Sequence, residues 1–283
     1  MPVEVHSTLG ALLIGLIVSC CLFGVSTVQA YIYYANFPKD RVSLKAMVTT
    51  VWLCELAHCI CICHGVYYIT VNEYQNPAAL LLLPKSFGGA ISLSGIIGTI
   101  VQIFLVERVR VVSGKLFISL LCWALALVRC GLTFLLTAET WRMHSVAEFM
   151  AQWKWLSGLV LALCSVVDLF LALSLCYYLD AQKVNGFRST SLAIDKITTW
   201  TLQTGILTSF IGSLALVCFF VMPNNFIWLG IFMSLARVFS NTLLATLNGR
   251  TALREQKFIE FPGRQSTLGQ GSRELMNVSS QFH

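Results

Sequence analysis

The stretch FIWLGIFMSLARVFSNTLLATLNGR, residues 226–250, is apolar and long enough to cross a bilayer, yet it carries Arg237 near its middle and Asn241 one helical turn further on. A guanidinium does not lose its proton in a protein. At the centre of hydrocarbon it costs at least ~2.5 to 3.5 kcal/mol unless another group receives it. The rest of the chain must therefore bring an acceptor to the same depth.

The composition agrees with a chain that lives in lipid. Of 283 residues, 57% are hydrophobic and 11% are charged, and the mean hydropathy is +0.75. A soluble domain carries about 25% charged residues, so this chain has too few to cover a water-facing surface. Segments of about 20 apolar residues are needed to span the core. They occur at 9–31, 46–68, 87–106, 116–137, 156–179, 199–222 and 226–250. Between the fourth and fifth, AETWRMHSVAEFMAQWKW is polar with apolar residues at helical spacing, which suits a short helix lying in the interface. The longest internal polar link is DAQKVNGFRSTSLAIDK, and residues 222–225 form a tight turn before the last span. Residues 1–8 lack the Lys or Arg of a signal-peptide leader, so no cleavage is expected.

The expected fold is all-α: a polytopic bundle of seven transmembrane helices over residues 1–250, followed by a largely disordered tail at 251–283. Lysines and arginines set its orientation. The links after spans one, three and five hold Lys39, Arg41, Lys45, Arg108, Arg110, Lys115, Lys183, Arg188 and Lys196, and five more, Arg250, Arg254, Lys257, Arg264 and Arg273, lie from the end of the last span onward. The opposite side holds only Lys85, Arg142 and Lys154. The positive-inside rule then puts the N-terminus outside and the tail in the cytosol. Trp153, Trp155 and Trp228 would mark the outer boundary, and Tyr177, Tyr178 and Trp200 the inner one. On this orientation the Asn277 sequon faces the cytosol and stays unused, while Ser266 and Thr267 are open to phosphorylation. Basic residues confined to short links make no face for a duplex, so nucleic acid is excluded as a partner. The expected partners are the lipid bilayer, a small hydrophobic ligand, and a cytosolic protein at the basic links and tail. Plasma membrane and endomembrane are equally compatible with the sequence.

Depth follows from a rise of 1.5 Å per residue. Glu55 lies ten residues past Lys45, Asp168 twelve residues into span five and Arg237 eleven into span seven, which puts all three near mid-depth at roughly 15 to 18 Å. Arg129 and His58 fall within about two turns of that level. Ionisable groups inside a membrane usually face the bundle interior and pair with one another. The expected site is thus one central constellation of Glu55, His58, Arg129, Asp168, Arg237 and Asn241. It could fix helix registry, as buried polar groups can, or line a cavity that binds a ligand or moves a proton. Glu55 and His58, three apart, share a helix face and suit a carboxylate–imidazole pair.

All eleven cysteines fall within the spans, which argues against a disulfide framework and for thiols acting as small hydrophobes. Cys59, Cys61 and Cys63 alternate around a helix and cannot converge on one ion, so no metal and no cofactor is expected. The last span has no Lys for a retinal Schiff base. Glu107-Arg108 at the end of the third span reads as an inner-boundary charge pair. No P-loop or Gly-rich phosphate loop occurs; Gly88, Gly89, Gly95 and Gly98 suit close helix packing.

Three stretches carry a resemblance: LFGVSTVQAYIYYANFPKD, LKAMVTTVWLCELAHCICICHGVYY and, most specific, SLARVFSNTLLATLNGRTALR. With LGALLIG near the start, they make the chain, over residues 8–255, resemble a group of fungal, mushroom-type seven-helix membrane proteins catalogued as a domain of unknown function. The resemblance implies a multi-pass membrane protein with Glu55, His58, Arg237, Ser240 and Asn241 at family-pattern positions, and it lends no activity. Two functions stay open: a receptor-like or small-ligand-binding bundle, and an intramembrane enzyme acting on a lipid or isoprenoid, similar in architecture to fungal membrane terpene cyclases. The partners of the two acids discriminate. A carboxyl held by an arginine is a poor proton donor, whereas one facing an apolar pocket favours chemistry.

Overall fold

A computed structural model describes the backbone of residues 6–73, 84–143, 145–183, 188–222 and 225–250, and their side chains except those of 6, 179–183 and 188–204. The expected tail, with its sequon and its serines, lies outside these residues, as does the side chain of Trp200. The described residues form seven long helices: α1 (Ala11–Asn36), α2 (Val42–Tyr67), α3 (Lys85–Ser113), α4 (Leu116–Arg142), α5 (Val146–Lys183), α6 (Arg188–Val221) and α7 (Ile227–Asn248). A π-helical turn leads into α1 and another extends α2 to Asn72. Six helical stretches are apolar and long enough to cross a membrane: Ser7–Asn36, Val42–Asn72, Lys85–Ser113, Leu116–Arg142, Val146–Tyr178 and Ile227–Asn248. The described part of α6 adds the shorter apolar stretch Gly205–Val221.

Two expected links are shorter than their polarity implied. The separate interface helix over 138–155 does not form: α4 runs on to Arg142 and α5 starts at Val146. The polar residues of 180–196 are taken up by the end of α5 and the start of α6, which leaves 184–187 between them. The cause is the same in both. Lys, Arg, Glu and Gln are good helix formers, so a helix whose middle is held in lipid extends through them into the headgroup layer. The link after α3 is different: Gly114 adopts φ +65° and caps the helix by donating its N–H to Arg110 O at 3.0 Å. That left-handed geometry favours glycine.

Consecutive helices pack as neighbours, α1 closes against α7, and α3 sits centrally with α2, α4, α5 and α7 around it. Two contacts show that α1 and α7 run parallel. At one end Phe226 N–H donates to Ser7 O at 3.1 Å; at the other Arg250 Nη2 meets Asp40 Oδ2 at 2.6 Å. Between them Gly15 and Gly230 let the backbones touch: a Cβ on Gly15 would lie 2.5 Å from Gly230 Cα. In α2 the buried positions Val48, Val51, Glu55, His58 and Ile62 follow the three-and-four spacing of one inward face. Outward, Ile14, Ile17, Val28, Leu127, Val166 and Phe210 form an exposed apolar surface suited to lipid.

Candidate functional site

The six residues expected in one constellation divide between two networks, and His58 belongs to neither. The first joins α1, α2 and α7. Arg237, fully buried, donates Nη1 to the Glu55 carboxylate in a very short contact and to Glu55 O at 2.8 Å, while its Nε donates to Ser19 Oγ at 3.1 Å. Phe23 lies beneath the guanidinium, 5.2 Å from ring centroid to Cζ. Ser240 Oγ–H donates to the other Glu55 oxygen at 2.7 Å, so both carboxylate oxygens are engaged. Asn241 does not reach the carboxylate. Its amide donates to Leu22 O at 3.1 Å and Arg237 O at 2.8 Å, and with Ser19 to Met233 O and Asn248 to Gln29 O it forms a polar seam between α1 and α7.

The second network joins α3, α4 and α5. Arg129 and Asp168 are linked through Gln102, not directly: Arg129 Nε donates to Gln102 Oε1 at 3.1 Å, and Gln102 Nε2 donates to Asp168 Oδ1 at 2.8 Å. Arg129 Nη2 also donates to Thr99 Oγ1 at 3.2 Å, and Cys164 Sγ lies 3.9 Å from Asp168 Oδ2. Equal depth was the ground for expecting one site. Depth sets the level of a residue but not its azimuth: Glu55 and Arg237 meet where α2 and α7 converge, whereas Arg129 and Asp168 face α3. No hydrogen bond joins the networks among the described residues.

Gln102 and Ser19, both fully buried, were missed as site residues. A search for charges passes over neutral amides and hydroxyls. The available signal was Gln102 itself, an amide in the middle of an apolar span with nothing in lipid to bond. Glu107 pairs with Arg110 at 3.4 Å, not with Arg108, which stacks over Phe104.

His58 is fully buried and neither ring nitrogen has a hydrogen-bond partner among the described residues. The expected pair with Glu55 does not form, because Arg237 and Ser240 already occupy that carboxylate. The residue packs instead at the inner end of a cavity of about 90 Å³ that runs inward from Val146, Phe149 and Phe226 to His58 and Arg129. Its wall is mostly apolar and drawn from α2, α3, α4, α5 and α7. Trp228, expected at the outer boundary, lines it too, with its indole N–H unpartnered and its ring edge-on to Phe219 at 4.9 Å. Among the described residues, Asp168 lines a void of about 10 Å³, room for at most one water.

The cysteines hold one arrangement that their alternating positions concealed. Cys61 packs by Gly89 of α3, but Cys59 and Cys63 turn to α1 and meet Cys20, the three sulfurs lying within 4.8 Å of one another.

Sequence comparison supplies one match. Residues 164–252 are similar to a family of unknown function, DUF6534. The matched segment runs from the middle of α5 through α7, so it holds Asp168, Arg237, Ser240 and Asn241, while Glu55, His58 and Arg129 lie outside it. No curated protein and no solved structure matches the chain. The chain is thus a multi-pass membrane protein of helical architecture with a segment similar to a domain of unknown function.

Proposed function

We propose that this protein is a seven-span, receptor-like bundle, of the fungal group its motifs resemble, which binds a small and mostly apolar molecule in the cavity that ends at His58. The observation that carries this reading is the imidazole itself: fully buried, with neither ring nitrogen partnered among the described residues, at the end of a mostly apolar cavity. Buried polar atoms are rarely left without partners, and an apolar pocket with a few convergent polar groups is the usual form of a ligand site. A neutral imidazole offers one donor and one acceptor, which suits a ligand with a hydroxyl or carbonyl. A dry apolar cavity of 150 Å³ accepts benzene, so about 90 Å³ suits a molecule of about four or five heavy atoms.

The parallel course of α1 and α7 supports an odd number of crossings, and the basic links at 37–41 and 114–115 support a cytosolic C-terminus. The two networks serve as clamps holding the walls. Glu55 is bound by an arginine and Asp168 has room for one water at most, so neither is placed to protonate a substrate, which weighs against an intramembrane enzyme. Purified protein in detergent, heated with a panel of small alcohols, ketones and haloalkanes of about four or five heavy atoms, tests this. A ligand at 100 times its dissociation constant stabilises by about 2.7 kcal/mol, so Tm rises by a few degrees for a hit. His58→Leu should keep the fold and lose the shift for hydroxyl-bearing hits. No shift with any compound, or an equal shift in His58→Leu, contradicts the proposal.

A further inference from the structure

Cys20 of α1 and Cys59 and Cys63 of α2 form a cluster outside the cavity lining and beside the network of Arg237. Cys59 and Cys63, four apart, lie on one helix face, and Cys20 reaches them across the contact between α1 and α2. Cys20 Sγ and Cys59 Sγ are 3.8 Å apart, and all three thiols are free and partly buried. We propose that these three sulfurs bind one Cu(I) ion in trigonal thiolate coordination.

Three observations carry the assignment. A metal about 2.3 Å from each of three sulfurs in a plane holds them about 4 Å apart, and the cluster has that size without any movement of the helices. Next, no fourth His, Cys, Asp or Glu joins the three among the described residues. Structural zinc sites are four-coordinate, so an incomplete tetrahedron disfavours Zn(II), whereas thiolates select Cu(I) among available ions. Finally, the donor set is entirely sulfur, on two helices already packed together, so little order remains to be imposed on binding.

The balance of the reaction is simple. Each of three thiols gives up its proton as a copper–sulfur bond forms, Cu(I) keeps its oxidation state, and the group passes from a charge of +1 to −2 with three protons released. Arg237 of α7, whose Nη2 has no hydrogen-bond partner among the described residues, lies within electrostatic reach of Cys63 and offsets part of that charge.

The full-length protein in detergent, given Cu(I) under anaerobic reducing conditions and competed against a chromogenic Cu(I) chelator, tests the site. One Cu(I) should be retained per chain, and X-ray absorption should report three sulfur neighbours at about 2.3 Å. Cys20→Ser, Cys59→Ser and Cys63→Ser should each weaken retention by more than about tenfold, since loss of even an outer partner of a metal ligand costs 10 to 100-fold. Cys61→Ser, facing α3, should retain copper as the unaltered protein does. No retained copper, copper held by nitrogen or oxygen, or equal retention in the triple serine variant overturns the proposal. The absorption spectrum of the unaltered protein decides the matter even where a serine variant does not fold.

Discussion

At Arg237 a permanent charge sits with no access to water, and its partners are correspondingly many: a carboxylate, a backbone carbonyl, a hydroxyl and an aromatic face. Removing one partner of such a pair strands the other, which costs about 3 to 5 kcal/mol, whereas replacing both by apolar groups of similar volume is often neutral. Arg237→Met and Glu55→Leu should each destabilise by about that amount, and the double variant by much less than their sum. Equilibrium unfolding in detergent, arranged as a double-mutant cycle, checks this. Gln102→Leu should cost about 1 to 3 kcal/mol by leaving buried partners of Arg129 and Asp168 unsatisfied, and the same unfolding measurement reads it. That Arg237 needed an acid was legible from the residue alone, because no side chain can hold a proton so firmly in hydrocarbon without help. That the acid was Glu55, with Asp168 elsewhere, was not legible. The choice depends on the rotation of each helix about its axis, and α2, nearly apolar all round, gives little sign of which way it turns.

Among the elements, α1 and α7 depend on an approach that only glycine permits. Gly15→Ala places a methyl 2.5 Å from Gly230 Cα, a clash with backbone that no rotamer change relieves. It should destabilise by about 1 to 3 kcal/mol and weaken the Asn241 and Ser19 seam. Gly24→Ala on the same helix meets nothing within 4 Å. It should be neutral or slightly stabilising, since Ala is the better helix former. Thermal unfolding of the two variants side by side reads the difference. Element boundaries were harder to read than element existence. Apolar length showed where each helix crosses lipid, but the ends of α4, α5 and α6 run on through Lys, Arg, Glu and Gln that look like loop. The cluster of Cys20, Cys59 and Cys63 was hidden for a related reason: Cys20 lies 39 residues from Cys59, and only the packing of α1 on α2 joins them.

For the molecule as a whole, the helices leave a cavity beside a buried imidazole that has no hydrogen-bond partner among the described residues. The central position of α3, the two networks that brace α7 against α1 and α2, and α3 against α4 and α5, and the cavity of about 90 Å³ between these walls give a rigid frame around His58. The proposed orientation predicts that a cysteine introduced near residue 73 labels from the outer face of sealed, oriented membranes and one near residue 114 from the cytosolic face; the reverse pattern, or labelling of both from one face, would contradict it. The central claim is that the cavity receives a ligand at His58. A structure of the protein crystallised with 2-bromoethanol tests it most directly, because bromine reports its own position by anomalous scattering. The prediction is a bromine peak inside the cavity with the hydroxyl bonded to a His58 ring nitrogen; an empty cavity with bromine only on the lipid-facing surface would contradict it.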